Sequence, residues 1–239
     1  MIDIHCHVLP GIDDGARSWD VTLEMCRIAA EDGVTHIVAT PHANYEYRYD
    51  RTSHLALLEE LQLRVPGITF SLGCDFHLSY ENIEDAMNHP ERYAIGDTRY
   101  LLVELSEYSV FGFMQSAYQL QTAGLVPILT HPERNPAILS SPNLVSEYAD
   151  AGCLMQITAN SLTGFWGKTS QKMCEMMLKN GMVHFIASDA HGTKSRPPIL
   201  SAARDAAAKI VGRDAADALV NANPSAVVNN QPTEQITLQ

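Results

Sequence analysis

The chain begins with MIDIHCHVLPGIDDGA (residues 1–16), in which a short β-rich run passes directly into two histidines and an Asp-Asp-Gly turn. The same order, an apolar run followed by polar residues capable of chemistry, recurs along the sequence and decides the predicted fold. The runs that we assign to strands are MIDIH (1–5), THIVAT (35–40), ITFSLG (68–73), YLLVEL (100–105), LVPILT (125–130), CLMQIT (153–158) and HFIAS (184–188). Apolar residues at helical spacing predict helices over 18–32, 53–64, 113–123, 143–151, 169–180, 198–211 and 214–222.

Strands that alternate with helices predict parallel strands joined by crossover connections. The strand runs are almost continuously apolar, as expected for strands that are covered on both faces. Seven such units without an obvious linker predict an α/β fold, a single closed or nearly closed (β/α) barrel. We assign residues 1–229 to this one domain and residues 230–239 to a loose polar tail.

The composition excludes several classes of function. With 16 basic and 28 acidic residues the net charge is −12, which argues against nonspecific binding to nucleic acid or to anionic membranes. Neither a membrane-spanning run nor a signal-peptide pattern is visible, so no membrane insertion is expected. The five cysteines contain no C-x-x-C pair, which fits reduced thiols in a cytoplasmic protein. None of them is followed six residues later by arginine, which excludes a cysteine-dependent tyrosine phosphatase of the Cys-x5-Arg type.

Metal-competent side chains collect at the ends of the predicted strands. In a parallel barrel these ends share one rim, where the active sites of such barrels lie. His5 with His7 and Asp189 with His191 are i, i+2 pairs, so each pair projects from one side of an extended backbone. Imidazole and carboxylate groups together suit ions such as Zn, Mn, Fe or Ni. The strand-end groups are His5, His7, His42, Asp75, Glu104, His131, Asp189 and His191.

Some assignments stay open on the residues alone. Asp13 and Asp14 compete for one position; the spacing favours Asp14, and Gly15 also allows a plain turn. Any one strand-end group, taken singly, could be an ordinary hydrogen-bonded core residue, whereas the ordered set favours a metal site. We interpret the five remaining histidines as ordinary residues, although one of them shares the strand parity of Asp75. They are His36, His54, His77, His89 and His184.

Two arginines follow proposed ligands at short distance along the chain. Arg134 comes three residues after His131, and Arg196 comes five residues after His191. Guanidinium groups beside a metal cluster suit bidentate capture of phosphate oxygens. The alternative interpretation is a surface salt bridge.

The ordered motifs DIHCH…DDG, ATPH, GCDF, VEL, THPER and ASDAH…RPP resemble the PHP (polymerase and histidinol phosphatase) superfamily. They are most similar to its bacterial metal-dependent tyrosine-protein phosphatases of capsular and exopolysaccharide synthesis, from residue 1 to about residue 229. The resemblance implies a distorted seven-stranded TIM-like barrel that binds up to three divalent ions, Mn foremost, with Fe, Zn or Mg as alternatives. It implies that Arg134 and Arg196 hold the phosphate. The implied metal ligands are His5, His7, Asp14, His42, Asp75, Glu104, His131, Asp189 and His191.

One ligand position departs from that family. Asp75 stands where the family usually has glutamate, and its shorter side chain puts in doubt whether it bridges two metals.

The resemblance also implies the reaction and the partner. A metal-activated hydroxide is expected to hydrolyse phosphotyrosine on a protein, and the resemblance points to the tyrosine-rich tail of a bacterial tyrosine kinase. An oligomer is compatible with the sequence. Two other functions stay open: hydrolysis of a small phosphomonoester such as histidinol phosphate or a nucleotide, and a non-catalytic metal-binding partner.

Five aromatic residues near the rim could pack against a phosphotyrosine ring or make a subunit contact, namely Tyr45, Tyr47, Tyr49, Phe165 and Trp166.

Overall fold

The computed structural model describes residues 1–106 and 112–232. Its strands in chain order are β1 (Ile2–Cys6), β2 (His36–Ala39), β3 (His42–Ala43), β4 (Thr69–Leu72), β5 (Asp75–His77), β6 (Tyr100–Glu104), β7 (Val126–Thr130), β8 (Leu154–Thr158) and β9 (Phe185–Ala187). Its α-helices are α1 (Trp19–Glu31), α2 (Arg51–Arg64), α3 (Tyr80–Asn88), α4 (Phe113–Thr122), α5 (Pro136–Ser140), α6 (Asn143–Asp150), α7 (Ala159–Leu162), α8 (Gly167–Lys179), α9 (Ser201–Val211), α10 (Arg213–Ala218) and α11 (Ala222–Val228).

Capping and apolar spacing explain helix α1, which the sequence predicts. Ser18 accepts a hydrogen bond from Val21 N at the start of α1, and the residues of that helix at helical spacing are buried in the core. Helix α3 was not predicted. Ser79 caps it in the same way, and its apolar residues Tyr80, Ile83, Ala86 and Met87 recur at helical spacing. The signal is therefore present in the sequence, although the helix is short and only Ala86 is buried.

The strands are parallel throughout and form two hydrogen-bonded sheets, with orders β1-β2-β4 and β3-β5-β6-β7-β8-β9. Parallel strands alternating with helices are thus confirmed, whereas seven strands in one closed barrel are not what the ladders show. Two short strands, β3 and β5, were not predicted and lie just beyond the predicted runs 35–40 and 68–73. Pro41 has no N–H to donate and separates β2 from β3. Gly73 separates β4 from β5 in a crowded position, where a Cβ would lie 3.1 Å from side-chain atoms of Ile95 and Val38.

The first and last strands of the fold are neighbours. Cys6 forms an isolated parallel bridge with Ala190. Around it, His7 N donates to Ala190 O at 2.9 Å, and Asp189 N donates to His5 O at 2.8 Å. Cys6 itself is fully buried, and burial raises its pKa well above the usual range, so it is no thiolate nucleophile.

The two ends of the described chain also pack against the sheets. Ile2 N donates to Val220 O at 2.9 Å. Asn230 Oδ1 accepts a hydrogen bond from Arg99 N, so the predicted tail begins as an attached segment, and its residues 233–239 lie outside the described part. Among residues 1–106 and 112–232, no helix is both long and apolar enough to cross a membrane.

Candidate metal centre

The centre of the candidate site is formed by His5 of β1, by His7 just after that strand, and by Asp189, which follows β9. The Nε2 atoms of His5 and His7 lie 3.2 Å apart. Asp189 Oδ1 lies 3.4 Å from Nε2 of His5 and 3.5 Å from Nε2 of His7. All three side chains are buried, because the hydrogen bonds between β1 and the segment after β9 place the two i, i+2 pairs side by side.

Hydrogen bonds behind the rings set the orientation of three histidines. Nδ1 of His5 faces Gln156 Oε1 at 2.8 Å, and Nδ1 of His7 faces Asp13 Oδ2 at 2.7 Å. Nδ1 of His191 faces the backbone oxygen of Asp189 at 3.0 Å. Because each Nδ1 meets an oxygen acceptor, it carries the proton, and the Nε2 lone pair is left for a ligand.

The two neighbouring aspartates of the first loop do different things. Asp14 Oδ1 lies 3.2 Å from His191 Nε2 and 3.4 Å from His42 Nε2, so it faces the cluster. Asp13 turns away, towards Nδ1 of His7, and accepts hydrogen bonds from the backbone N–H groups of Gly15 and His42. A Cβ on Gly15 would lie 2.3 Å from His7 O, so this close approach requires glycine.

Asp75 and Glu104 supply the carboxylates on the opposite side. Asp75 Oδ2 lies 3.2 Å from His42 Nδ1 and 3.5 Å from His5 Nε2. Glu104 Oε1 lies 3.7 Å from His131 Nε2. Asp75 is fully buried, yet neither of its oxygens has a hydrogen-bond partner among the described residues. A buried carboxylate without hydrogen bonds is costly unless a cation compensates it, so this residue fits a metal ligand.

Three overlapping groups of side chains have ligand atoms within 4.8 Å of one another. The groups are His7, Asp14, His42 and His191; His5, His7 and Asp75; and His42, Asp75 and Glu104. Atoms that each lie about 2.0–2.2 Å from one ion are separated by distances of this order. Seven of the nine predicted ligands therefore fit divalent metal ions, and Asp75 is shared by two groups; His131 and Asp189 belong to none of the three groups.

Two of the predicted ligands occupy an uncommon backbone conformation. His131 has φ of 36° and Asp189 has φ of 50°, in the left-handed region that non-glycine residues rarely adopt. Such a conformation costs of order 1 kcal/mol and is typical of functional sites. It occurs where β7 and β9 end, so it belongs to the turn that brings each residue to the cluster.

The protonation states of Asp189 and His131 at the centre favour the binding of cations. Burial raises the pKa of Asp189, but Arg134 and His5 outweigh it and hold that pKa well below the usual range. Burial, helped by Arg134, holds the pKa of His131 well below the usual range, so this imidazole is neutral and able to ligate. Burial lowers the pKa of His42, but its contacts with the ionised Asp14 and Asp75 raise it to about 11. Without a metal this ring therefore carries a proton, which a bound cation would displace.

Both predicted arginines lie beside this cluster. Arg134 Nη2 and Arg196 Nη2 each lie 2.7 Å from Asp189 Oδ2. Their partner is a buried carboxylate, so they do not form the surface salt bridge that was the alternative. The guanidinium carbons lie 4.7 Å and 5.5 Å from the ring centroid of Trp166.

The tyrosines of the second loop separate into three environments. Tyr49 is structural, because its hydroxyl donates to Gly73 O at 3.1 Å. Tyr47 stacks on the ring of His42 at 6.0 Å. Tyr45 is 86% exposed and lies with Glu104 on the wall of a cavity of about 430 Å³.

The same cavity is lined by a histidine that the sequence analysis set aside. His77 Nδ1 lies 3.7 Å from Glu104 Oε2, and its ring meets that of Tyr45 edge-on at 6.1 Å. His77 and Asp75 are two residues apart in β5, so their side chains point to the same side of the strand. This spacing is the sequence signal that indicates His77 near the cavity.

Three residues support the ligands; of these, the sequence indicated Asp13 only as a competitor of Asp14, and Gln156 and Asp3 were not predicted. Asp13 and Gln156 orient the rings of His7 and His5. Asp3 is fully buried and accepts hydrogen bonds from Ser188 N at 3.0 Å and from Ser188 Oγ. Two sequence signals were available for the others: Gln156 is a polar amide within the apolar run 153–158, and Asp3 lies two residues before His5, on the same side of the strand.

Comparison with known proteins gives consistent matches. A family model described as capsular polysaccharide synthesis, CpsB/CapC, matches residues 1–229. CapC of Staphylococcus aureus is 37% identical over 206 residues, covering 84% of this chain and 80% of that protein. The tyrosine-protein phosphatase YwqE of Bacillus subtilis is 33% identical over 208 residues, covering 82% and 79%. A structure from work on YwqE and Streptococcus pneumoniae CpsB, described as unique metal-dependent tyrosine phosphatases, matches with a TM-score of 0.92 and 30% identity, covering 100% of this chain and 97% of that one. The family resemblance drawn from the motifs is confirmed.

Proposed function

Because the chain belongs to the CpsB/CapC family of capsular polysaccharide synthesis, we propose that it is a metal-dependent phosphatase that hydrolyses phosphotyrosine on protein. One observation carries the chemistry. The buried Asp75 has no hydrogen-bond partner among the described residues and lies within 3.5 Å of two histidine nitrogens, an arrangement that calls for bound cations.

We assign the metal ligands to the nine side chains named from the sequence, holding up to three ions. Manganese is our first choice, with iron, zinc or magnesium as alternatives, because imidazole and carboxylate ligands suit all of them to some degree. Divalent ions bound there would supply water with its pKa lowered from 15.7 to about 7. The ligand set is His5, His7, Asp14, His42, Asp75, Glu104, His131, Asp189 and His191.

Arg134 and Arg196 bind the phosphate in this proposal. Their guanidinium groups lie next to the ligand Asp189, so a phosphate held by them would lie beside the cluster. Donors placed where charge develops on the equatorial oxygens stabilise the transition state. A tyrosine leaving group has a pKa of about 10 and needs little help from a general acid, so we assign none.

The leaving group would enter the cavity beside Glu104. Its volume of about 430 Å³ leaves room for an aryl ring, and Tyr45 and His77 supply ring faces on its wall. This cavity supports phosphotyrosine over a phosphomonoester that lacks an aromatic group.

The proposed partner is a phosphotyrosine protein, the tyrosine-rich tail of a bacterial tyrosine kinase that controls capsule or exopolysaccharide synthesis. The net charge of −12 supports a function without nucleic acid. We place the protein in the cytoplasm, which the five free and buried cysteines support.

We further propose that residues 1–229 form one domain whose two sheets together make a distorted seven-stranded barrel. Backbone hydrogen bonds support this proposal at the two places where the sheets adjoin. Gly73 N donates to Ala39 O at 2.8 Å between the β2/β4 pair and the β3/β5 pair, and His7 N donates to Ala190 O where the first and last strands meet.

A substrate panel tests the proposed function. The protein is stripped with chelator, reloaded with Mn²⁺, and assayed on a phosphotyrosine peptide, histidinol phosphate and nucleotides. We expect turnover that depends on metal and favours the phosphotyrosine peptide. A preference for histidinol phosphate or a nucleotide would favour the small-substrate alternative. No turnover of any substrate after reloading would favour a non-catalytic metal-binding partner.

A further inference from the structure

Trp166 lies against both of the arginines that we assign to phosphate. The guanidinium carbon of Arg134 is 4.7 Å from the centroid of its ring, and that of Arg196 is 5.5 Å away. Both distances are within the range of a cation–π interaction. A single aromatic side chain therefore contacts both cations.

The arrangement of the arginines creates a need for such a contact. Nη2 of Arg134 and Nη2 of Arg196 approach the same oxygen, Asp189 Oδ2, at 2.7 Å each. Two like charges this close repel each other, and one carboxylate carries only one compensating charge. The negative face of the indole ring offsets part of that repulsion.

The backbone around Trp166 holds the ring in place. Gly164 and Gly167 have φ of 94° and 89°, so glycines in left-handed conformations flank the aromatic pair Phe165–Trp166. Phe165 N donates to Asn160 O at 2.9 Å, which ties the turn to α7. The ring of Phe165 packs edge-on against Trp166, with centroids 5.4 Å apart.

One guanidinium nitrogen can still donate a hydrogen bond to a ligand. Nε of Arg196 is buried and has no hydrogen-bond partner among residues 1–106 and 112–232. A donor that is buried and unsatisfied in the free protein gains a full hydrogen bond when an oxyanion arrives.

We propose that Trp166 is a positioning residue, which holds Arg134 and Arg196 together in the geometry that binds the phosphate dianion. This proposal rests on the proposed function. It does not assign Trp166 any contact with the reacting atoms; the ring acts through the two guanidinium groups.

Fluorescence offers a direct test, because Trp19 and Trp166 are the two tryptophans of the chain. In a Trp19→Phe variant loaded with Mn²⁺, emission reports on Trp166 alone, and inorganic phosphate is the probe. We expect phosphate to change the emission of Trp166 with the same midpoint as its inhibition of turnover. Replacing Arg134 by alanine in that background should abolish the change. Phosphate that inhibits turnover without changing the emission would overturn the proposal.

Substitutions of Trp166 complete the test. We expect Trp166→Leu to weaken phosphate inhibition about tenfold, equivalent to about 1.4 kcal/mol, and to raise KM for a phosphotyrosine peptide by a similar factor. Trp166→Phe, which keeps an aromatic face, should recover most of the loss. Trp19→Leu on α1, which removes a cation–π contact with Arg64, is the matched control and should change phosphate inhibition by less than twofold. Bound Mn²⁺ should be the same in all of them.

The outcomes separate this inference from the proposed function. If the wild-type protein binds phosphate and hydrolyses phosphotyrosine while Trp166→Leu behaves like it, the positioning role is wrong and the proposed function stands. The positioning role would also be wrong if Trp166→Leu and Trp166→Phe weakened phosphate inhibition equally, or if Trp166→Leu lost metal. If the wild-type protein neither binds nor hydrolyses phosphate compounds, the proposed function fails first.

Discussion

Arg134 and Asp189 form an ion pair in which Nη2 of the arginine lies 2.7 Å from Oδ2 of the carboxylate. The other oxygen of Asp189 faces the imidazoles of His5 and His7. One buried carboxylate thus connects the proposed metal ligands to the proposed phosphate-binding side chains. The connection means that the arginines are already placed beside the cluster before a substrate arrives.

Alanine substitutions of the arginines should separate phosphate binding from metal binding. We expect Arg134→Ala and Arg196→Ala each to lower kcat about 100-fold, the usual size of losing one transition-state donor. Bound metal, measured by mass spectrometry, should stay at the wild-type level. Arg27→Ala, on the exposed face of α1, is the control. A fall in metal content with either active-site variant would show that the arginines are structural.

Removing the charge of Asp75 should reveal whether it bridges. Its carboxylate is shared by two groups of potential ligands, so we expect Asp75→Asn to lose at least one bound ion per chain and nearly all turnover. Asp75→Glu, which restores the residue usual in the family, should keep the full complement. Metal content is measured after gel filtration, with Asp20→Asn on α1 as the control. An unchanged metal content in Asp75→Asn would contradict bridging.

Asp13 is expected to act on metal affinity through His7. Its carboxylate accepts from His7 Nδ1 at 2.7 Å, and losing such a partner typically costs 10- to 100-fold in metal affinity. We therefore expect Asp13→Ala to weaken Mn²⁺ binding by about this factor in a calorimetric titration. Its neighbour Asp14, as a proposed direct ligand, should show a larger loss in Asp14→Ala. Equal affinities for wild type and Asp13→Ala would contradict the orienting role.

His184 should make the stability of the fold depend on pH. Its Nδ1 accepts a hydrogen bond from Met155 N, and burial lowers its pKa from 6.5 to about 4. As the pH falls below about 6.5 the unfolded chain binds the proton first, so this contribution to stability is lost progressively down to about pH 4. At pH 5 the loss is about 2 kcal/mol. Urea unfolding at pH 7 and pH 5 measures it.

The control for this effect is His184→Asn, which keeps an acceptor for Met155 N without a titrating ring. The decrease in unfolding free energy between pH 7 and pH 5 should be smaller in this variant by about 2 kcal/mol. The same decrease in both proteins would show that another group is responsible.

Tyr45 tests the cavity assigned to the substrate ring. Since it is exposed and lines that cavity, we expect Tyr45→Ala to raise KM for a phosphotyrosine peptide several-fold, from loss of an aromatic contact of about 1 kcal/mol. Inhibition by inorganic phosphate, which has no ring, should not change. Tyr80→Ala, another exposed tyrosine, is the control. A parallel change in phosphate inhibition would place Tyr45 at the phosphate instead of the ring.

Much of this centre could be predicted because it depends on order along the chain. Alternating strands and helices place strand ends on one rim, and i, i+2 spacing gives His5 and His7 a common side. The spacing favoured Asp14 over Asp13, and the resemblance to a known family supported that choice and added the identity of the substrate. His77 shows where strand spacing stops being informative. It shares the side of the strand with Asp75, but spacing alone does not distinguish a metal ligand from a residue that lines a cavity.

The sequence by itself determined which side chains reach the rim, because strand period and crossover topology follow from local patterns of apolar residues. Only the tertiary structure decided that Asp13 supports His7, that a further short strand begins just after Pro41, and that Trp166 lies against two arginines. Those relationships join segments far apart in the chain, and their distances depend on how the sheets and loops pack. A pattern of residues contains no such distances.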